Sequence, residues 1–287
     1  MPVPVPEPSN VLAMRGVGLS FKDKRVLRDL SFAVGRGEVF GFLGPSGAGK
    51  TTTIKLLTRQ LVKDEGSIEL FGRPIEQATA ADYDRIGILS DTSALYERMT
   101  VEQNLQFYAR IRGVDPSCIP GLLERMGLAD DRKTLVKNCS KGMRQRACLM
   151  AALVHAPELL FLDEPTSGLD PAARAEVHRM LLELKASGTT VFLTTHDMAE
   201  AEGLCGRVGI LDGGHLVACD TPQALRLRFA RNRVVVQTRT RGVVETTKDA
   251  EGARVLTDLM SAGECLSIHS DEPNLEDVFL ELTGREF

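Results

Sequence analysis

The sequence predicts an α/β fold: a mainly parallel sheet flanked by helices, with an antiparallel β part, a helical insertion and a small C-terminal α/β module. Three observations carry this. Short apolar runs of strand length alternate with segments periodic at helical spacing, the pattern of a sheet covered on both faces. One such run, "RGEVFGFLG" (36–44), passes through a glycine-rich loop directly into a helix. Between about residues 91 and 155 the alternation stops and each periodic segment reads as helix.

The elements follow in order. "VLAMRGVGLSF" reads as a strand with mixed alternation, and the helix after the glycine loop spans Lys50–Arg59. Within the insertion, "TVEQNLQFYARIRG", "GLLERMGL" and "KGMRQRACLMAALVHA" repeat at helical spacing. "LLFLD" (159–163) is a buried strand, and a helix over 171–185 places Val177, Met180, Leu181 and Leu184 on one face. "TVFLTT" (190–195) is the next strand, followed by a helix over 198–204 and by "VGILDGGHLVA", whose Asp212-Gly213 reads as a hairpin turn. Composition shifts near Phe229. Beyond it, "RVVVQTRT", "GVVETT" and "CLSIHS" are strand-like, "GARVLTDLMSAG" is helical, and "NLEDVFLELTG" is a helix starting at an asparagine cap.

Composition narrows the class. The 287 residues suit one large domain with an appendage or two modest ones, and 43% hydrophobic with 26% charged residues is ordinary for a globular protein. A net charge of −4 gives no electrostatic reason to expect a nucleic-acid partner. Six cysteines (118, 139, 148, 205, 219, 265) are scattered without a Cys-x-x-Cys pair, so they read as reduced thiols in a reducing compartment. No apolar run reaches the ~18–20 residues of a membrane crossing. The nearest, "ACLMAALVHAPELLFL" (147–162), is interrupted by His155, Pro157 and Glu158. The proline-rich start lacks the basic and apolar regions of a signal peptide, and residues 1–9 read as a flexible tail.

Gly44-x4-Gly49-Lys50-Thr51 matches the P-loop pattern in full. Its glycines let successive backbone N–H groups turn inward on a nucleotide's β-phosphate, so Gly44, Pro45, Ser46, Gly47, Ala48, Gly49 and Thr52 are all candidate binding positions. Lys50 reaches the β and γ oxygens, and the Thr51 hydroxyl is placed to ligate Mg²⁺. The helix that the loop opens favours anions at its N-terminus. At the end of "LLFLDEP" (159–165), Asp163 is the acid that holds Mg²⁺ from the opposite side, and Glu164 the candidate general base. Two acids at a strand end are by themselves unremarkable; downstream of a P-loop they acquire a role.

Between and after these elements stand "CSKGMRQR" (139–146), "SGLD" (167–170) and "TTHD" (194–197). In this order the motifs resemble the ATP-binding cassette (ABC) family, whose signature reads L-S-G-G-Q followed by a Q-R pair. Ser140, Gly142 and Gln145-Arg146 match, while Cys139, Lys141 and Met143 depart. The resemblance implies a P-loop NTPase core over residues 10–225, with the helical subdomain at about 91–155 and an accessory domain over 226–287. It also implies that Ser140 and Gly142 face the P-loop of a second cassette, a copy of this chain or a homologue. Two ATP are then held head-to-tail, with "SGLD" at the dimer contact and His196 sensing the γ-phosphate. Phe21 occupies the place where the family stacks an aromatic ring on adenine; the alternative is a core phenylalanine. Asp91 stands where the family carries a glutamine that contacts Mg²⁺, the attacking water and the membrane partner. Either aspartate does this work in altered geometry, or another residue does.

The C-terminal stretch "EPNLEDVFLELTGREF" and the Ser-Lys-Gly-Met variant resemble the type-two exporter branch, which handles drugs, antibiotics, peptides and polysaccharides. That implies a bacterial ATPase subunit at the cytoplasmic face of the membrane, driving separate transmembrane permease subunits docked near residues 91–105. Two other readings stand beside it: a soluble cassette acting on nucleic acid or ribosomes, and a regulatory cassette that binds ATP and hydrolyses it poorly. An acidic balance and a single cassette count against the first. Intact Lys50, Asp163, Glu164 and His196 count against the second.

Overall fold

A computed structural model describes residues 10–90, 95–270 and 272–284, so the expected tail (1–9) and Asp91 lie outside the described residues. The chain divides into two compact units, one running to Asp220 and the other starting at Thr221.

The first unit opens with two long antiparallel strands, β1 (Asn10–Phe21) and β2 (Lys24–Gly35), paired from Asn10↔Gly35 to Phe21↔Lys24 with several register shifts between. The buried strand β3 (Val39–Leu43) leads into helix α1 (Lys50–Leu57). β4 (Glu65–Leu70) and the short β5 (Arg73–Pro74) extend the first sheet to the order β2-β1-β4-β5. A one-turn helix α2 (Ala80–Tyr83) precedes β6 (Ile86–Leu89). The helical insertion then supplies α3 (Val101–Ile111), α4 (Ile119–Arg125) and α5 (Lys141–Leu153). β7 (Leu159–Asp163), α6 (Pro171–Ala186), β8 (Thr190–Thr195), α7 (Met198–Leu204) and the hairpin of β9 (Arg207–Asp212) with β10 (His215–Asp220) complete the unit.

Among the described residues the second sheet runs β10-β9-β3-β8-β7-β6. β9, β3, β8, β7 and β6 are mutually parallel, and β10 returns antiparallel. This is the mainly parallel α/β core with an antiparallel part that the alternation of elements predicts. The hairpin turn sits one residue beyond the Asp212-Gly213 that the sequence suggests. Asp212 pairs with His215, and Gly213 and Gly214 take φ of 53° and 82°. Two successive positive φ angles are the type I′ geometry that a two-residue hairpin prefers.

Period-two alternation sends Phe40 and Phe42 of β3 to one face of the parallel sheet and Gly41 to the other. On the first face, Phe192 stands within 6 Å, centroid to centroid, of Phe32, Phe40, Phe42 and Phe161. Because Phe32 comes from β2, this cluster joins the two sheets into one core. On the opposite face a β-carbon at Gly41 would lie 2.6 Å from Cys205 Sγ, so glycine lets the end of α7 approach β3 closely. Phe192 is fully buried, and Phe192→Ala would leave a cavity among rings that cannot all collapse into it. The expected cost is about 3–5 kcal/mol of unfolding free energy, read as a fall in the denaturant midpoint at unchanged slope.

At the start of β7, Glu158 accepts a two-pronged bond from Arg85 (2.7 and 2.9 Å) and a third from Arg36 (2.8 Å). Those guanidinium contacts pull its carboxyl down from 4.5 to about 2. A depressed carboxylate stabilises the fold above its unfolded-state value, and the contribution disappears as pH falls from about 4.5 towards 2. Glu158→Gln should therefore flatten the acid limb of a stability-against-pH curve between those values. The side chain is 42% exposed, so the effect is a modest one.

The second unit contains α8 (Pro222–Arg228), β11 (Val234–Thr238), β12 (Val243–Thr246), α9 (Ala250–Ser261), β13 (Cys265–Ser270) and α10 (Leu275–Thr283). Its sheet runs β12-β11-β13, antiparallel throughout, and Leu259 of α9 packs on Val234 and Val236. Asn274 caps α10, its side chain accepting from the Asp277 N–H, as the sequence suggests. The division falls at 220/221 rather than at 225/226, because α8 packs against α10 and so belongs with the second unit.

Candidate active site

Parallel neighbours deliver the motif residues to one edge. β3, β8 and β7 lie side by side, with Leu43 level with Thr195 and Asp163 level with Thr194. Their carboxyl ends therefore hold the loop 44–49, Thr195-His196 and Asp163-Glu164 together, at the edge where open α/β sheets place ligands.

The loop's shape depends on glycine at two close approaches. A β-carbon at Gly44 would lie 2.4 Å from the Leu211 carbonyl oxygen, and one at Gly49 would lie 2.6 Å from Leu27 Cδ2. Gly49 also takes φ 116°, a conformation side-chain-bearing residues rarely adopt. The result is a hollow of about 190 Å³ whose lining includes Pro45, Ser46, Gly47, Gly49, Lys50, Thr51, Thr52 and Glu164. Ala48 is buried, and its N–H bonds the Pro45 carbonyl at 3.1 Å.

Lys50 is 6% exposed. Its Nζ donates to the Gly44 carbonyl (2.5 Å) and the Pro45 carbonyl (3.3 Å), and lies 3.5 Å from Glu164 Oε1. Burial pushes its pKa below the usual lysine range, while Glu164 and Asp163 act in the opposite sense. Thr51 Oγ1 donates to Asp163 Oδ2 at 2.8 Å, and Thr194 Oγ1 donates to Asp163 Oδ1 at 2.5 Å. Thr51 and Asp163 thus juxtapose a hydroxyl and a carboxylate, the hard oxygen donors that Mg²⁺ takes, at the lip of the phosphate hollow. Glu164 has φ 47°, an uncommon conformation held by its N–H bonding the Thr194 carbonyl and hydroxyl, both at 3.1 Å. His196 Nδ1 lies 3.1 Å from Glu164 Oε2. The structure therefore brings Lys50, Thr51, Asp163, Glu164 and His196 into one continuous set of contacts.

The signature residues stand apart from this set. Ser140 caps α5, its hydroxyl accepting from the Met143 N–H at 3.1 Å. At Gly142 a β-carbon would lie 3.0 Å from Ala173 Cβ, so glycine also serves close packing of α5 on α6. Neither lines the hollow of the loop, although Lys141 and Gln145 line an adjoining cavity of about 530 Å³ together with Thr51, Asp163 and Glu164. Asp170, the last residue of "SGLD", caps α6 by accepting from the Ala172 and Ala173 N–H groups. Phe21 is 46% exposed at the tip of the β1–β2 hairpin, which removes the core alternative. The same hairpin puts Leu27 against Gly49, so the ring is presented from an element that touches the loop. Asp91 lies outside the described residues.

The sequence reading missed Thr194 and Gln145 as holders of the site. Thr194 links Asp163 to Glu164, and Gln145 Nε2 donates to the Pro165 carbonyl at 2.8 Å. Both lie inside quoted motifs, and the available signal was a hydroxyl and an amide next to groups already assigned.

Comparison with known proteins agrees with this geometry. The model of the ABC transporter family matches residues 27–167. A fluoroquinolones export ATP-binding protein of Mycobacterium tuberculosis is 40% identical over 286 residues, covering 97% of this chain and 95% of its own length. The linearmycin resistance ATP-binding protein LnrL of Bacillus subtilis is 33% identical, covering 96% and 99%. Among solved structures, an ATP-binding subunit of an ABC transporter superposes with a TM-score of 0.70 at 30% identity, covering 76% of this chain and 93% of that one.

Proposed function

This chain belongs to the ABC transporter family, and from that premise we propose that it is the ATP-hydrolysing subunit of a membrane exporter, working as a head-to-tail dimer beneath separate permease subunits. The observation that carries the proposal is the contact set Lys50–Glu164–His196 with Thr51–Asp163, found in a chain whose full-length relatives are named for export and resistance. Among the described residues no helix is long and apolar enough to cross a membrane, so the spanning path is assigned to the permease.

ATP enters with its phosphates in the hollow of residues 44–52 and its base towards Phe21. A phosphate oxygen takes over Lys50 from the Gly44 and Pro45 carbonyls, and the ammonium then stabilises charge developing on the γ-phosphoryl group. Thr51 and Asp163 are the residues that would hold Mg²⁺, which when bound neutralises phosphate charge. Glu164 accepts the proton of the attacking water, and His196 keeps that carboxylate oriented while facing the γ-phosphate. Ser140 and the helix start at Gly142, supplied by the second cassette, close the other side. Closure and reopening then move the permease. Cargo selectivity is assigned to the permease, and direction follows the export relatives.

Affinity capture of the tagged chain from detergent-solubilised native membranes tests the assignment. Stoichiometric recovery of a multi-spanning protein is expected. Recovery of soluble partners or ribosomes alone would sink it.

A further inference from the structure

Glu200 is a buried carboxylate that the hydrolytic scheme does not use. It sits in the first turn of α7 with its side chain fully enclosed, and three donors converge on it. Thr166 Oγ1 donates to Oε1 at 2.7 Å, His178 Nε2 lies 3.0 Å from the same oxygen, and Thr195 Oγ1 donates to Oε2 at 2.6 Å. The donors come from three places. Thr166 lies in the loop between Glu164 and the "SGLD" segment, Thr195 immediately precedes His196, and His178 lies on α6, the helix that "SGLD" opens.

A second contact runs beside the first. Arg174, one helical turn before His178, donates to Asp197 Oδ2 at 2.6 Å, and Asp197 is both the residue after His196 and the N-cap of α7. Residues i and i+4 of α6 thus hold positions i and i+3 around the start of α7. An enclosed carboxylate is costly unless its oxygens are fully satisfied, and satisfied networks of this kind fix one arrangement of the parts they join.

We infer that Glu200 is a positioning residue that ties the dimer-contact loop (164–170) to the histidine loop (195–197), so that closure of the second cassette on one sets the other. The inference rests on the ATPase reading above. Thr166 reports the state of the dimer face and Thr195 that of His196, and Glu200 makes them move together. A carboxamide replaces it imperfectly: with its oxygen kept towards Thr166 and His178, its NH₂ must donate to a Thr195 hydroxyl that already accepts from the Asp197 N–H, and the Thr195 donation is lost.

The test uses the full chain with Mg²⁺ and ATP, measuring kcat, KM and melting temperature for Glu200→Gln, Thr166→Val, Thr195→Val and the double threonine variant. Glu200→Gln is expected to lower kcat by ~10-fold or more with KM for ATP within about two-fold, at a temperature where the variant remains folded. Each threonine variant lowers kcat, and the double variant is no slower than the slower single one, because both cut one connection. Thr195→Ser, which keeps the hydroxyl, restores kcat. A purely structural role would lower the melting temperature and leave kcat untouched below it. Parental kcat in Glu200→Gln, or threonine effects that multiply independently, would overturn the inference. Should Glu200→Gln not fold, the threonine pair decides alone. Absence of hydrolysis by the parent chain would instead count against the ATPase reading.

Discussion

Lys50→Ala is expected to abolish ATP hydrolysis without lowering the stability of the chain. The lysine is almost enclosed, its ammonium is held by two carbonyls of its own loop, and Glu164 is its nearest carboxylate. Burial works against its charge, so the fold gains little by keeping it. What the position supplies is an almost enclosed cation in the hollow of the loop, where a fixed charge acts on developing charge. Loss of one such preorganised group typically costs ~10²–10³ in kcat, and here ground-state phosphate binding weakens as well. Steady-state phosphate release, nucleotide binding followed by a fluorescent ATP analogue, and a thermal melt together check the expectation. Hydrolysis within a few-fold of the parent would remove Lys50 from the mechanism. A large drop in melting temperature would show the lysine to be a structural part instead.

The contrast between charge that serves chemistry and packing that serves the fold explains what the sequence discloses. The P-loop was legible because glycine spacing, lysine and threonine answer a local demand: the loop must approach Leu211 and Leu27 and still turn its backbone inward. The strands β7 and β8 were legible to the residue because burial on both faces removes the polar alternation, leaving "LLFL" before Asp163 and "VFL" between buried threonines. β2, by contrast, has four exposed and only four buried residues among its twelve, and its "KRVLRDLSFAVG" mixes charge with apolar residues along an antiparallel pair. β6 is only four residues long, and α8 is short and carries arginines in its last turn. None of these three has a period that stands out, and tertiary pairing decides them. Contacts at the site were hidden for a related reason. Thr194, Gln145 and Glu200 are ordinary residue types whose roles arise only when separate strand ends and helix starts meet.

Motif residues also prove to be structural punctuation. Ser140, Asp170 and Asp197 each cap a helix, so the signature, the "SGLD" loop and the histidine loop are pinned by the helices they begin. The sequence reading assigns Ser140 to the nucleotide of the second cassette and "SGLD" to the dimer contact alone. The structure gives each a local hydrogen-bonding duty as well, and substitution there is expected to perturb helix geometry and chemistry together. Variants that isolate chemistry must therefore change a head group and leave the backbone contacts in place.

Glu164→Gln meets that condition. The residue's uncommon backbone conformation is fixed by main-chain bonds to Thr194, which the substitution leaves intact, and a carboxamide has the size of the carboxylate it replaces. The His196 contact can persist through the amide oxygen or nitrogen, depending on the imidazole tautomer. Lost are the negative charge and the capacity to take a proton, so hydrolysis is expected to fall by ~10²–10⁴ while the phosphate hollow and the Thr51–Asp163 pair stay in place. Loss of charge beside Lys50 also leaves the ammonium freer to engage a phosphate. ATP binding should therefore match or exceed that of the parent. With closure driven by ATP and reopening by its hydrolysis, the variant should accumulate as a dimer at saturating ATP and Mg²⁺, seen by light scattering after size exclusion. Adding Lys50→Ala to it should return the chain to monomer, since the dimer then lacks the nucleotide that joins its halves. Parental hydrolysis by Glu164→Gln would move the general base elsewhere, and an ATP-bound monomer would remove the head-to-tail arrangement from the mechanism.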